Sequence, residues 1–440
     1  MKNLFLSILR KKLKILAKLT LARYNPGLVG ITGTVGKTST KEAIRAVLSR
    51  DRRVRAPGKS FNNELGLPLT ILGDWTETGG VFFWMKVILK SISQLVFKKS
   101  NYPEVLVLEY GVDRPGDMKY LLEIARPQIG VFTAMGEIPV HVEFFAGPEG
   151  VFREKAKMIS QLPTTGFSVL NADDAVVMEA RNQTRSQIVT FGFSEKADMR
   201  ISGFTEHLDG KNSILNFKLT YGGSFVPVRL ENVLGKGQAY SVAAASLVGL
   251  IFGMNLVKIA EAFNNYESPA GRLKLIPALK EALIIDDTYN ASPLAMEEAL
   301  ETLRSLEAKR KIAVLGDMLE IGRYTLEAHE AVGRLAAKNV DLLITVGLRG
   351  KFIAESAARA GLSKKSISSF MTLPETVAFL RSVIKKGDLI LFKGSQGVRL
   401  EKVIKEIMLA PSEAEKILVR QSEKWLKTPG LYDEALSSSG

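Results

Sequence analysis

The chain predicts an α/β fold built as two units in series, and three observations carry that expectation. A short apolar strand, Leu28 to Thr32, runs into the turn Gly33-Thr34-Val35-Gly36-Lys37-Thr38 and then into a helix, Lys37 to Arg50, with Ala43, Ile44, Val47 and Leu48 on one side. Continuous apolar runs at Val105 to Glu109 and Ile129 to Thr133 suit strands covered on both faces, as in a parallel sheet. Beyond a linker at Asn264 to Gly271, the strand-like runs Leu283 to Asp287, Ile312 to Gly316, Leu342 to Val346 and Leu389 to Lys393 alternate with helical stretches. The expected architecture is a central P-loop ATPase-type domain with a parallel sheet, followed by a Rossmann-like C-terminal domain. The boundaries read as a basic amphipathic helix at 1–27, a central domain at 28–270, a C-terminal domain at 271–410 and a helical tail at 411–440 that ends unstructured in Ser437-Ser438-Ser439-Gly440.

Before the first strand, Arg10, Lys11, Lys12, Lys14 and Lys18 crowd among Leu4, Phe5, Ile8, Leu9, Leu13, Ile15 and Leu16, the pattern of a basic amphipathic helix. It has neither the apolar length of a membrane span nor a small-residue cleavage site. Asn25-Pro26-Gly27 breaks it off. The expectation is a cytoplasmic protein that touches the membrane surface. Asp74 to Tyr102 is a second apolar stretch, with Phe82, Phe83, Trp84, Met85, Ile88 and Leu89 interspersed with Lys86, Lys90, Lys98 and Lys99; a core helix and a membrane-facing patch both fit. Met199 to Leu230 alternates around Asp209-Gly210 and Gly222-Gly223, as an antiparallel edge of the same domain would.

Composition limits the chemistry. With 440 residues, 46% of them hydrophobic, two or three domains are the natural expectation. The chain has no cysteine, which excludes disulfides and thiolate metal centres, and its three histidines, His141, His207 and His329, are scattered. Magnesium held with a nucleotide fits best. A net charge of +14 fits nucleic acid, a membrane surface or a polyanionic nucleotide sugar, but no nucleic-acid-binding module occurs, so no nucleic-acid partner is expected.

In the turn at Gly33, glycines let backbone N–H groups face phosphates, the helix start adds partial positive charge, Lys37 neutralises the outer phosphates and the Thr38 hydroxyl can ligate magnesium. The strict Walker spacing would need glycine where Ile31 stands, so this is the shorter loop. Glu109 ends an apolar strand with a carboxylate, at the sheet edge where open α/β folds hold ligands. His141 lies among Pro139, Val142, Phe144 and Phe145, and by itself reads as structural.

Several motifs in order resemble the Mur ligases, and most of all the branch that joins D-alanyl-D-alanine to a muramoyl tripeptide. Gly33 to Glu42 resembles the family's ATP loop; Ser60-Phe61-Asn62-Asn63-Glu64-Leu65-Gly66 its asparagine-rich segment ahead of the second strand; Glu109-Tyr110-Gly111 with Arg114-Pro115-Gly116-Asp117 its acidic strand end; and His141 to Phe145 its histidine motif. In the second unit, Asp286 to Pro293, Leu315 to Gly322 and Lys393-Gly394-Ser395-Gln396-Gly397 are similar to that branch's signatures.

The resemblance, which spans about residues 28 to 408, implies an ATP-dependent ligase that phosphorylates a peptide carboxylate and lets an amine attack the acyl phosphate. It implies that Gly33, Thr34, Val35, Gly36, Lys37, Thr38 and Ser39 hold ATP, with Gln238 and Arg272 reaching the nucleotide and Asp287, Tyr289 and Asn290 contacting adenosine. Thr38 and Glu109 would ligate one Mg2+ and His141 a second, with Lys155 carbamylated as a further ligand; Lys157 offers the alternative register. Asn62 and Asn63 would meet the acceptor, and Lys393, Ser395 and Arg399 the incoming dipeptide. The partners implied are the muramoyl peptide and D-alanyl-D-alanine, acting on a monomer. The family usually carries a separate N-terminal UDP-gripping domain, whereas about 27 residues precede the first strand here, so an acceptor held differently, including a lipid-linked one, is expected. The longer segment Gly136 to Val140 would displace His141, and Gln238 stands where the family has a His-Asn pair. The rival readings are a folylpolyglutamate synthetase and a non-catalytic ATP-binding scaffold of the cell envelope.

Overall fold

A computed structural model describes residues 2–58, 61–75, 77–97 and 101–434, without the side chains of residues 2–5. Leu4 and Phe5 as apolar side chains, Ser60, Lys98, Lys99 and the final serines therefore lie outside the described residues. Among the described residues the strands form two sheets.

The first sheet contains β1 (Gly27–Thr32), β2 (Val54–Arg55), β3 (Val105–Glu109), β4 (Ile129–Phe132), β5 (Phe167–Asn171), β6 (Gln187–Gly192), β7 (Met199–Asp209), β8 (Asn212–Tyr221) and β9 (Ser224–Glu231), in the order β2-β3-β1-β4-β5-β6-β7-β8-β9. Pairing is parallel through β7 and antiparallel for β7-β8-β9. The apolar runs of β3 and β4 are buried along their whole length, as doubly covered strands should be. The meander at the edge alternates buried and exposed residues, because one of its faces meets solvent. The sequence alone did not single out β2, β5, β6, β10 and β14; β2 has two residues, too short for a period to show.

The second sheet contains β10 (Lys274–Pro277), β11 (Leu283–Asp287), β12 (Arg310–Gly316), β13 (Leu342–Val346), β14 (Ile367–Phe370) and β15 (Asp388–Lys393), in the order β10-β11-β15-β12-β13-β14, parallel except for the β10–β11 pair. Both sheets confirm the expected α/β class. The domain units touch at several points: Ser305 Oγ donates to Glu206 Oε1 (2.6 Å), and a Cβ on Gly136 would stand 3.1 Å from the Leu294 side chain.

Two regions differ from expectation. The tail is docked down to residue 434, with short helical turns at Ala414–Ile417 and Glu423–Leu426. Buried Glu401 binds both Arg399 (2.5 Å) and Arg420 (2.9 Å), while Arg399 and Arg420 also donate to backbone carbonyls on both sides of the tail contact. Tyr432 closes the wrap by donating its hydroxyl to Asp317 Oδ2 (2.6 Å). The second difference concerns the apolar stretch after Asp74. Its helix buries Trp84, Val87, Ser91 and Gln94 but turns Phe82, Leu89 and Val96 outward, so it packs one face and leaves an apolar stripe uncovered.

Candidate functional site

The phosphate loop sits at the carboxyl end of β1, between β3 and β4, where the chain departs to either side of its first strand. Gly33 has φ 141°, and a Cβ there would lie 2.1 Å from Thr133 Oγ1, so only glycine lets the loop close on β4. Thr34 N donates to Ala134 O (2.6 Å), and Thr133 Oγ1 donates to Val35 O (2.6 Å). Gly36, at φ 88°, then turns the chain into α2 (Lys37–Leu48), whose first residues are Lys37, Thr38 and Ser39. Lys37 Nζ donates to Gly33 O (2.7 Å) and Thr34 O (3.3 Å). Desolvation in this nest pushes the Lys37 pKa down, and Glu109 acts in the opposite sense.

Register places Glu109 beside Ile31, two residues before the loop. Its carboxylate is buried, and Oε1 has no hydrogen-bond donor; the nearest cation is Lys41 Nζ, 3.2 Å away in ion-pair contact. Lys41 is itself fully buried and donates to Pro57 O (2.5 Å). The sequence offered a signal for this partner: Lys41 lies one helical turn after Lys37, on a helix packed against the sheet. Lys41→Met is expected to cost about 3–5 kcal/mol of stability in urea unfolding, because it strands a buried carboxylate. Adding Glu109→Gln should recover much of the loss; an effect under about 1 kcal/mol would contradict the pairing.

A helix at Pro148–Ser160 presents Lys155 and Lys157 to opposite environments. Lys157 is half-exposed and binds Glu154 Oε2 (2.6 Å), whereas Lys155 is buried. Burial, then the charge of Lys37, pushes the Lys155 pKa down to about 7, with Asp113 opposing. His141 sits at φ 69°, with Nε2 3.2 Å from Asp113 Oδ1 and Nδ1 2.9 Å from Glu320 Oε2. Asp113 also acts electrostatically on Lys37 and Lys155, so the long segment before His141 returns it to the loop's neighbourhood. Glu320 belongs to the C-terminal unit, and the His141 contact holds its carboxyl below the usual pKa. Asp113 did not stand out in the sequence, and Glu320 stood there only as a member of the Leu315 to Gly322 motif, since their partner His141 is distant along the chain.

The remaining candidates divide by environment. Arg272 stacks its guanidinium 4.1 Å over the Tyr289 ring, and Arg272 also acts on Lys37 across the cleft. Asp287 is bound to Lys393 Nζ, which also donates to Asn290 O (3.3 Å); both charges are buried. Gln238 is buried beneath α2, donating to Ser268 Oγ (2.9 Å) and accepting from Tyr266 (2.9 Å). Ser39 is buried in the same network. Ser395 Oγ accepts from Leu319 N (2.9 Å), and Arg399 is engaged by the tail. Asn63 Oδ1 accepts from Leu65 N and Gly66 N just ahead of α3 (Gly66–Leu72), while Asn62 lies against Gly111, whose N–H it binds through its backbone carbonyl (2.8 Å). Thus Lys37, Thr38, Glu109, Lys155 and His141 gather around the loop, while Lys393, Ser395, Arg399 and Asn63 make contacts internal to the fold.

A phosphate loop backed by buried carboxylate and lysine side chains, and faced by a second α/β unit, defines an enzyme that spends a nucleotide triphosphate between two domains. The Mur ligase middle domain matches residues 31–82 and 89–249, and the Mur ligase glutamate ligase domain matches residues 271–396. The chain belongs to the Mur ligase family and is an ATP-dependent ligase. It is 31% identical over 402 residues to the UDP-N-acetylmuramoyl-tripeptide–D-alanyl-D-alanine ligase of Bacillus subtilis, covering 91% of this chain and 79% of that protein. The MurF ligase of Thermotoga maritima, solved in complex with ADP, superposes with TM-score 0.72 at 27% identity, covering 92% of this chain and 84% of that one. MurF of Acinetobacter baumannii gives TM-score 0.73 at 25% identity, covering 88% and 79%.

Proposed function

We propose that this ligase adds D-alanyl-D-alanine to a muramoyl tripeptide in peptidoglycan precursor synthesis, using ATP and Mg2+. The observation that carries the reading is the cluster of Lys37, Glu109, Lys155 and His141 at one loop, contacted from the second unit by Glu320. The likeness to the Bacillus subtilis enzyme over most of both chains supports the choice of substrates.

The residues fit the metal: Glu109 keeps a buried oxygen without a donor, and hydroxyl, carboxylate and imidazole are donors that a hard cation accepts. Thr38 and Glu109 would hold one Mg2+ and His141 a second, and the ions would supply positive charge to the phosphoryl oxygens. A neutral Lys155 amine can add CO2 to give a carbamate and a proton, which turns a buried cation into a further oxygen ligand. Lys37 neutralises the outer phosphates of ATP while the tripeptide carboxylate oxygen attacks the γ-phosphorus and the bond to the bridging oxygen of ADP breaks. The dipeptide amine then attacks the acyl carbon, loses a proton, and phosphate leaves with the bonding electrons. Arg272 and Tyr289 would line the nucleotide from the second unit, and the Glu320–His141 contact would help exclude water from the acyl phosphate. Working units at 28–270 and 271–410, with 1–27 and 411–440 as appendages, suit this closure.

Omitting substrates one at a time tests the reading. Phosphate release that requires both UDP-muramoyl tripeptide and D-alanyl-D-alanine, with a pentapeptide product by mass spectrometry, is the expected result; ATP turnover indifferent to the dipeptide would overturn it. A second reading, the same chemistry on a lipid-linked acceptor, is favoured by the outward apolar face after Gly80, and separates by supplying the acceptor on either carrier.

A further inference from the structure

A helix that packs one face and still turns a stripe of large apolar side chains outward is costly in water unless something else covers that stripe. The helix Val81–Val96, here α4, does this. Trp84, Val87, Ser91 and Gln94 are buried, while Phe82 is 84% exposed, Leu89 67% and Val96 61%. Their spacing of seven residues lines them along one stripe, with Met85 and Ile92 between them. Beside it runs α1 (Lys2–Tyr24), which packs through Leu9 and Leu13 with Trp84 and Val87 in one cluster and leaves Ile8, Ile15 and Leu19 outward. Tyr24 and Arg23 donate to the carbonyls of Gln94 and Val96, tying the two helices together at one end.

The charges on these helices have one sign. Residues 2–24 and 81–97 contain no aspartate or glutamate, and Lys11, Lys12, Lys18 and Lys86 are exposed among the apolar side chains. No helix among the described residues is long and apolar enough to cross a membrane. A pair of helices with apolar residues outward and only cations among their own charged side chains matches the boundary of an anionic bilayer, where apolar side chains enter the acyl region and lysines meet phosphate. We propose that the outward faces of α1 and α4 dock the protein on an anionic lipid surface.

Two ion pairs tie α1 to the phosphate-loop domain. Arg10 binds Glu64 (2.6 Å), next to the asparagines at 62 and 63, and Lys14 binds Glu123 (2.5 Å) on the helix Asp117–Ile124. Both α1 and residues 83–88 fall outside the stretches matched by the two family domains. Docking would hold the α1 and α4 side of the phosphate-loop domain at the membrane, and it does not depend on which acceptor the ligase uses.

Flotation of the purified full chain with vesicles tests this, using phosphatidylcholine alone and phosphatidylcholine with phosphatidylglycerol. The chain is expected to float with the anionic vesicles only, and to be released as salt rises. Lys11→Glu with Lys12→Glu should weaken binding by at least about fivefold per lysine. Phe82→Ser with Leu89→Gln should abolish it, while ATP turnover of all variants stays that of the parent. Absence from both vesicle fractions, or equal binding of parent and variants, would overturn the proposal. So would a dimer in solution that dissociates in the Phe82/Leu89 variant, since the face would then be covered by a second copy.

Discussion

Lys37→Ala should lower the rate of pentapeptide formation about 10²–10³-fold at saturating ATP. The reaction brings a carboxylate against a polyanion, so the cation at the loop acts where negative charge accumulates. Lys37 is held by the loop carbonyls of Gly33 and Thr34, and its desolvated surroundings strengthen its field on a phosphate lodged there. Lys37→Arg should recover little, because the nest is shaped around a single ammonium. Initial rates with quenched-flow detection of ADP would separate chemistry from product release. A loss confined to the KM for ATP, with kcat intact, would contradict a role in the phosphoryl step.

Lys155→Ala should cost a similar factor, and its companion Lys157→Ala should cost little, since only Lys155 is buried beside Lys37 and Asp113. With a pKa of about 7, roughly half of the Lys155 amine is neutral near that pH, so activity in CO2-depleted buffer should fall and return with bicarbonate. Lys155→Ala should be deaf to bicarbonate. The same shift makes a stability prediction. The folded chain binds this proton more weakly than the unfolded chain, whose lysine titrates near 10.5, so the destabilisation is complete below about 7 and fades as pH rises toward 10.5. In CO2-free buffer Lys155→Met should therefore be more stable than the parent at about pH 6, with the difference shrinking by about pH 10. Thermal unfolding at the two pH values reads this directly. A difference that grows with pH would contradict a lysine whose burial disfavours its charged form.

Sequence made the phosphate loop, the apolar strands and the linker legible because each rests on local pattern: glycines with a lysine at fixed spacing, runs without polar interruption, and turn residues together. The Lys155 register was not legible, because two lysines two residues apart on a helix differ only in what packs on them. Asp113 was not singled out because it meets His141 only through the folding of the first unit, and Glu320 was seen only as part of a motif because its contact with His141 depends on how two units fold against each other. Lys393, Ser395 and Arg399 carry the polar character of ligand contacts, yet a buried partner, a backbone N–H and the docked tail take them up. The outward face of α4 could not be read either: apolar residues at helical spacing fix which residues share a face, and only packing decides which face is covered.

The most direct test of the mechanism places ¹⁸O in the terminal carboxylate of the tripeptide and follows it into phosphate by mass spectrometry during synthesis. Activation as an acyl phosphate predicts one labelled oxygen in each phosphate released, in step with pentapeptide formed. Pentapeptide formed with unlabelled phosphate, or with AMP and pyrophosphate in place of ADP, would contradict it.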